Sequence, residues 1–567
     1  MKRSQANIFL WLLVILLANL WVFSFFNHAF DDDEFQHAHV AWLLHHGYTP
    51  YKDFFEHHLV FYHRLMAPLF NLGENFRQIF LFRGISLISA AGTLILLYRL
   101  GRSFGISPLA SGTGIWLIGI VPMFLLKMTE ARPESLAILA FSGALSLMFA
   151  KSGKFKQSLT GYNTRNEKID SKEQPKGWTP NFGVQALACL RKLVSFHPNP
   201  FWQFILIGLL TGVMSLLSQK YVIIAGTLLI TIYFLHGWKQ SLISITSFLI
   251  SIAIYAGWML ASSCGKEAFE SVILLNLRWK YTFPPSGYLV ELFTTGGVLF
   301  VCGTFGIVMN VFQGHLRRQA FAFAVLLAGS ILQIYLVPVP YRQSFLPMLV
   351  ILAIGTMFFF SSMYRISRTA RSGWVALIVP LLLGASSLTA LPGQLKADNR
   401  SDISQMKEIA KLAPSGPVFD GRGLMFFRMH VGYYACMHHE ILLMIDPDKY
   451  AENVIRSLQS DGLPPVIRDY RVQKMPEYIN IFISNHYLQS MIPGVLSAGF
   501  LKERLVPKKP EVMNIMAGGN WKATWRGGNI TVDGIPIVNG QIFILERGAH
   551  IFVSDNLSWD FRLERSY

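Results

Sequence analysis

FDDDEFQHAHVAW, Phe30 to Trp42, sets four carboxylates and two histidines directly behind the first long apolar run of the chain. Carboxylates and imidazoles at this density can accept protons, pair with cations or hold a metal ion. The spacing predicts a helix over Asp33 to His46, with Asp33, His37 and Ala41 on one face and Phe35 and Trp42 turned toward lipid. Asp31 and Asp32 precede that helix and are expected to be solvated, with nothing holding them. Asp33 and Glu34 differ, because they begin the helix and have His37 within one turn.

The segment 27–76 is long for a connection between two helices, and such loops tend to be functional. It continues HHGYTPYKDFFEHHLVFYHRLMAPLF, His45 to Phe70, where Asp53, Glu56, His57 and His58 crowd together between aromatic residues. Two readings follow from these residue types. The side chains could converge on a divalent cation or on sugar hydroxyls, or they could form a buried hydrogen-bond network that shapes the loop.

The elements that must position these groups are mostly hydrocarbon. Of 567 residues 52% are hydrophobic and 15% charged, with a mean hydropathy of +0.38, which excludes an ordinary soluble domain. Runs long enough for a ~30 Å apolar core predict eleven spans, at 8–26, 77–98, 106–126, 134–150, 202–217, 221–236, 241–260, 288–312, 319–337, 344–362 and 373–391. The first run is charge-free and lacks a small-residue cleavage site before Asp31, so it is expected to remain as an anchor.

Basic residues sort to one side of these spans. Arg99 and Arg102, nine residues between Lys151 and Lys192, Lys239, Arg317 and Arg318, and Arg365, Arg368 and Arg371 fall with the N-terminus, whereas only Glu167, Asp170 and Glu173 of the acids before residue 392 do. Basic loops stay inside, so the N-terminus is expected in the cytoplasm and residues after about 392 on the outer face. Residues 1–392 would form the transmembrane domain and 393–567 an outer domain of mixed α/β type. In that tail PVFDGRG (417–423) and YINIFISN (478–485) are expected as strands, SQMKEIAKLA (404–413) as an amphipathic helix, and the chain beyond Asn520 as short strands joined by glycine turns. The tail carries 20 Lys and Arg against 18 Asp and Glu, so most of the net charge of +17 belongs to the membrane part. That charge reflects topology and does not point to nucleic acid. Cys189, Cys264, Cys302 and Cys436 show no metal-type spacing; Cys264 and Cys436 could pair, but small unpaired apolar residues are the simpler expectation.

DDEFQHAHVAWLLHHGYTPYKDFFEHH resembles the first outer loop of bacterial membrane glycosyltransferases of the GT-C superfamily, in the group of protein O-mannosyltransferases and aminoarabinose transferases. KMTEARPES (127–135), LLSQKYV (216–222) and VPYRQSFLP (339–347) are similar to that family's later outer segments. The resemblance covers residues 8–391 and implies a GT-C fold with juxtamembrane helices in the first loop. It also implies a sugar donor on polyprenyl phosphate, inversion at the anomeric carbon, and an acidic pair at Asp33 and Glu34.

On that resemblance Asp33 is expected as general base, with Glu34 as partner or second choice. Lys220 and Arg342 stand in apolar sequence with few acidic neighbours, where a charge needs a partner. Together with Arg132 and Arg83 they are the expected contacts of the donor phosphate, although Arg132 could equally pair with Glu130 and Glu134. His37, Asp53, Glu56, His57, His58, Glu130, Tyr341 and Gln343 are expected near substrate or a divalent cation. The partners would be the donor lipid, the bilayer and a glycan, lipid or protein acceptor, with transfer at the outer face. A transporter, a lipid-linked glycan polymerase or ligase, and a non-catalytic scaffold are the alternatives; no internal repeat supports the first.

Overall fold

The computed structural model describes residues 3–150, 200–262, 264–279, 283–313, 316–367, 375–434, 439–442 and 444–567. Helix α1 (Arg3–Asn27) leads into α2 (Asp32–His45) and the short α3 (Phe61–Met66), which precede α4 (Gln78–Ser103). The bundle continues through α5 (Pro108–Ile120), α6 (Pro122–Thr129) and α7 (Pro133–Met148), then through helices Pro200–Leu217, Val222–His236, Trp238–Ala261, Ser286–Gln313, Arg317–Leu336, Leu346–Ser367 and Val375–Gln394.

Each of the eleven expected segments coincides with a helix or a helix pair. Among the described residues, however, six helices are long and apolar enough to cross a membrane, and a bent pair can make a seventh. The apolar stretches within 11–27, 133–148 and 201–217 are shorter. The chain is an integral membrane protein with six to seven such helices among the described residues. The bent pair is α5 and α6, which meet at 73°. Pro122 causes the break: it removes a backbone donor and holds Val121 in extended conformation, ψ 119°. The bend aims the end of α6, with Lys127 in its last turn and Glu130 and Arg132 beyond it, at the start of α2.

Helix Leu346–Ser367 runs against Ser286–Gln313 at a contact only glycine allows. A Cβ on Gly306 would stand 2.0 Å from the Gly355 carbonyl oxygen, and one on Gly355 2.2 Å from that of Gly303. Small residues let two membrane helices approach this closely. The crossing fixes the helix that begins just after Gln343.

After Arg400–Leu412, the expected amphipathic helix with Met406 and Ile409 buried, the chain forms a C-terminal sheet domain. Its strands are β1 (Phe419–Asp420), β2 (Val466–Ile467), β3 (Tyr487–Gln489), β4 (Val495–Leu505), β5 (Glu511–Ile515), β6 (Gly519–Gly527), β7 (Ile530–Val532), β8 (Ile535–Ile537), β9 (Ile542–Leu545), β10 (Gly548–Ser554) and β11 (Ser558–Arg565). One sheet has the order β1-β2-β4-β11-β6-β9, with β3 also paired to β4; the other is β5-β10-β7-β8. Alternation buries Trp521, Ala523 and Trp525 of β6 on one face. The expectation of a strand over 478–485 is wrong. Those residues belong to helix Glu477–His486, which starts after Pro476 and buries Ile479 and Ile483, four apart, on one stripe.

Cys264 and Cys302 are free and buried. Cys189, Cys436 and residues 151–199 lie outside the described residues.

Candidate active site

Helix α2 opens with a capping box. The Asp31 side chain accepts from the Asp33 amide, and Glu34 accepts from the Asp31 amide, each at 3.0 Å. Successive helical side chains point about 100° apart, so four consecutive carboxylates look in four directions. Between them they meet cations from three distant parts of the chain. Asp31 accepts from Lys127 of α6 at 2.9 Å. Asp32 accepts from Arg422 at 2.7 Å, from Arg471 at 3.1 Å and from the Tyr470 hydroxyl. Asp33 pairs with Arg132. Glu34 accepts from Arg83 of α4 at 2.6 and 2.7 Å. The expectation that nothing holds Asp31 and Asp32 is therefore wrong.

Phe35 and Trp42 are also not turned to lipid. Phe35 is fully buried and stacks on Phe426 of the C-terminal domain at 6.3 Å, and Trp42 donates to Glu74 at 2.9 Å. A helix covered on both sides buries apolar residues all round, which hides its orientation from the pattern alone.

Glu34 and Arg83 complete each other. Arg83, 1% exposed, also donates to the carbonyls of Phe25, His28 and Ala29 at 3.0–3.1 Å, and Glu34 accepts from the Ala131 amide at 2.7 Å. Burial opposes the charge on Glu34, but Arg83 wins and holds the carboxyl below its usual range. Enclosed in this way, the pair ties α2 to α4 and α1, and both side chains expected at the substrate are engaged with protein groups here.

Arg132 is the hub of the second cluster. It is buried, yet Asp33 and Asp31 hold its proton more firmly than usual. Glu130, Asp31 and Glu134 lie 3.2, 3.5 and 3.6 Å from it. Its Nη2 also reaches the Gln343 amide oxygen at 3.3 Å, in the amide orientation that satisfies both neighbours, and the same oxygen accepts from Lys220 at 3.2 Å. Lys220 in turn stands 5.9 Å from the centre of the Tyr341 ring. Burial pushes Glu130 up to about 7 against the pull of Lys127. On Asp31 burial is outweighed by Lys127 and Arg132, which hold its carboxyl well below the usual range.

His37, His58, Leu59, Arg132, Glu134 and Lys220 line a crevice beside this cluster. Its volume of about 10 Å³ is on the order of one water molecule, so its walls must part to admit a sugar or a phosphate. His37 shares a hydrogen bond with His63 at 2.9 Å and, by burial and the nearness of His63 and His58, is held well below its ordinary pKa. Arg342 is not a wall of the crevice: it pairs with Glu291 at 2.8 Å and lies over the Tyr288 ring at 5.6 Å.

The loop before α3 gathers only part of its expected set. Ligand-type atoms of Glu56, His57 and His58 lie within 4.8 Å of one another, a spacing compatible with a metal ion. The same Glu56 oxygen accepts from the amides of His57 and His58 and from the His58 ring at 2.7–2.9 Å, and Gln36 approaches the carboxylate at 3.2 Å. Asp53 stays apart and exposed, accepting from the Thr49 amide to close a turn. Gln219 ties this loop to Lys220 by donating to the His57 carbonyl at 3.2 Å.

Arg422, Arg471 and Tyr470 were absent from the expected site. Their link to α2 spans some four hundred residues, and nothing local in the sequence marks it. Asp420 and Asp469 flank them. Burial and the Asp469 charge push Asp420 up to about 8.

No family model matches this chain, and no curated protein matches it by sequence. Solved structures do. The crystal structure of ArnT from Cupriavidus metallidurans bound to undecaprenyl phosphate superposes with a TM-score of 0.55 at 13% identity, covering 88% of this chain and 98% of that one. The fold is that of ArnT. Its apo state gives a TM-score of 0.56 at 13% identity over 87% and 98% of the two chains. The superposition spans bundle and C-terminal domain together, and it bears out the resemblance to GT-C membrane glycosyltransferases at the level of fold.

Proposed function

We propose that this chain transfers a sugar from a polyprenyl-phosphate donor to a hydroxyl acceptor, with inversion, at the outer face of a bacterial inner membrane. The N-terminus is then cytoplasmic and the C-terminal domain periplasmic, as the basic loops require. One observation carries the reading. Asp33, Arg132, Gln343 and Lys220 form a continuous polar chain beside a crevice, in a fold shared with a protein crystallised with undecaprenyl phosphate.

In this mechanism Asp33 takes the proton of the acceptor hydroxyl as its oxygen attacks the anomeric carbon. The carbon–oxygen bond to phosphate breaks, and its electron pair leaves with the lipid phosphate. Charge develops on that phosphate, so a cation preorganised in a water-poor site lowers the barrier. Lys220 suits this role because its polar contact is a neutral amide, whereas Arg132 is already surrounded by carboxylates and chiefly orients Asp33. Membranes carrying wild type or Asp33→Asn, given a panel of polyprenyl-phosphate sugars, test the assignment. Loss of a general base lowers turnover by ~10²–10⁴-fold. Retained turnover in the variant removes Asp33 from the role.

A further inference from the structure

A second, larger crevice opens on the other side of the same helix turn. It holds about 310 Å³ between the start of α2 and the C-terminal domain, at the lower end of the ~300–1,000 Å³ range of small-molecule sites. Asp32, Gln405, Arg422, Arg468, Asp469 and Tyr470 supply its polar walls.

The walls are locked in place. Arg422 donates to Asp32 at 2.7 Å and to Asp402 at 3.0 Å, and Asp469 accepts from the amides of Arg422, Arg471 and Val472 at 2.8–2.9 Å. Preformed walls of this kind keep the entropy of binding small. Arg468 and the Tyr470 ring remain exposed, the latter by 50%.

Two carboxylates and two guanidiniums on the walls leave no net charge for an anion to answer, and the planar polar groups suit paired hydroxyls as donors and acceptors. An exposed ring can cover the C–H face of a sugar. Position adds the decisive point. Asp32 faces this crevice, its neighbour Asp33 faces Arg132, and Arg471 bonds Asp32 at 3.1 Å while lying near enough to Asp33 for their charges to interact. The proposed base is thus the chain neighbour of one wall of this crevice, Asp32, and the ion-pair partner of a wall of the other, Arg132.

The geometry points to this crevice as the subsite for the acceptor, and to a neutral, polyhydroxylated saccharide as the acceptor's chemical class. The donor then approaches from the bundle side and the acceptor from the C-terminal domain, with Asp33 between them. This inference rests on the glycosyltransferase reading for the word acceptor, but not for the binding of sugar.

Saturation-transfer NMR on the full chain in phospholipid nanodiscs, with maltotriose as neutral probe and glucose 6-phosphate as anionic probe, reads the crevice directly. Maltotriose should give signal on wild type, glucose 6-phosphate should not, and Gln405→Ala/Arg468→Ala should bind maltotriose roughly 10-fold more weakly, the loss of one to two hydrogen bonds. These two residues hold neither the ion pairs of α2 nor the proposed base, so the variant should fold. Maltotriose signal that is absent, that is unchanged in the variant, or that glucose 6-phosphate matches overturns the subsite. Release of polyprenyl phosphate from a polyprenyl-phosphate sugar, measured on the same preparations, separates the two proposals. Donor cleavage without sugar contact sinks the subsite alone, while sugar contact without cleavage of any donor sinks the glycosyltransferase reading and leaves a saccharide site.

Discussion

Replacing Arg83 by Met tests whether the buried pair with Glu34 is architecture or donor binding. All five guanidinium donors end on protein oxygens: two on Glu34, and three on the carbonyls of Phe25, His28 and Ala29. Methionine fills much of the stem's volume, but it strands a fully buried carboxylate. Breaking a buried pair on one side costs ~3–5 kcal/mol because the remaining charge is left uncompensated. Against a whole-protein stability of ~5–15 kcal/mol, that loss shifts thermal unfolding down by about 3–4 °C, at ~1 °C per kcal/mol for a chain of 567 residues. Removing both charges in Arg83→Met/Glu34→Met should recover part of the loss, since apolar replacement of a buried pair is often neutral. Unfolding monitored by fluorescence-detected size exclusion, on the two single variants, the double and wild type, gives the coupling. The donor KM of the double variant should stay within about threefold of wild type, because uniform binding of donor does not pass through this pair. A stable Arg83→Met protein with a strongly raised donor KM would refute the architectural role and return Arg83 to the phosphate.

Lys220→Met should lower kcat/KM for the polyprenyl-phosphate sugar by on the order of 10²-fold while leaving thermal stability near wild type; loss of folding instead would make Lys220 structural. His39, which joins α2 to His430 at 2.7 Å, is held at about 4 by burial, below its ordinary 6.5. Its depressed value makes the docked state favourable above pH 6.5 and progressively less so as pH falls to about 4, by about 3 kcal/mol in full. Limited proteolysis between the bundle and the C-terminal domain should therefore accelerate over that window in wild type, and less steeply in His39→Phe. Because the Glu56 carboxylate is already satisfied by two amides, the His58 ring and Gln36, chelator treatment should leave transfer unchanged, whereas loss restored by added Zn²⁺ would assign the Glu56, His57 and His58 group to a metal.

Much of the helical part was legible because membrane burial writes itself as local composition. Every expected segment met a helix, and even the break at Ser218 to Lys220 appears as an extended residue followed by a 3₁₀ turn. Failures came where the partner was distant or the pattern ambiguous. YINIFISN alternates well enough for a strand, yet Pro476 before it and the Ile479–Ile483 spacing make a helix. For the site, Asp33 and Gln343 follow from the family resemblance and Arg132 and Lys220 from charge in context, and the structure places the four side by side. Arg342 and Arg83 were named for the same reason, a charge in apolar sequence, and the structure gives them Glu291 and Glu34 instead. A lone cation in a hydrophobic stretch signals only that some anion is near. It carries no information about whether that anion belongs to the chain or to a ligand, and Arg422 and Arg471 gave no signal at all.

The run of four acids therefore does more than supply a base. One turn of α2 grips the bundle through Glu34 and Arg83, the bent helix through Asp31 and Lys127, and the C-terminal domain through Asp32, Arg422 and Arg471. Every one of these ties is a charge-assisted hydrogen bond at an enclosed or half-enclosed site, where low dielectric strengthens it. They hold the intervening Asp33 in a fixed direction beside Arg132. A carboxylate fixed in this way has no side-chain freedom to lose when a hydroxyl arrives, which is the condition for efficient proton transfer by a positioned group. It follows that Asp32→Asn, one residue from the proposed base and outside its crevice, should loosen the C-terminal domain and lower kcat without changing the donor KM. A change confined to donor KM would place Asp32 at the donor instead and break the division of the two crevices.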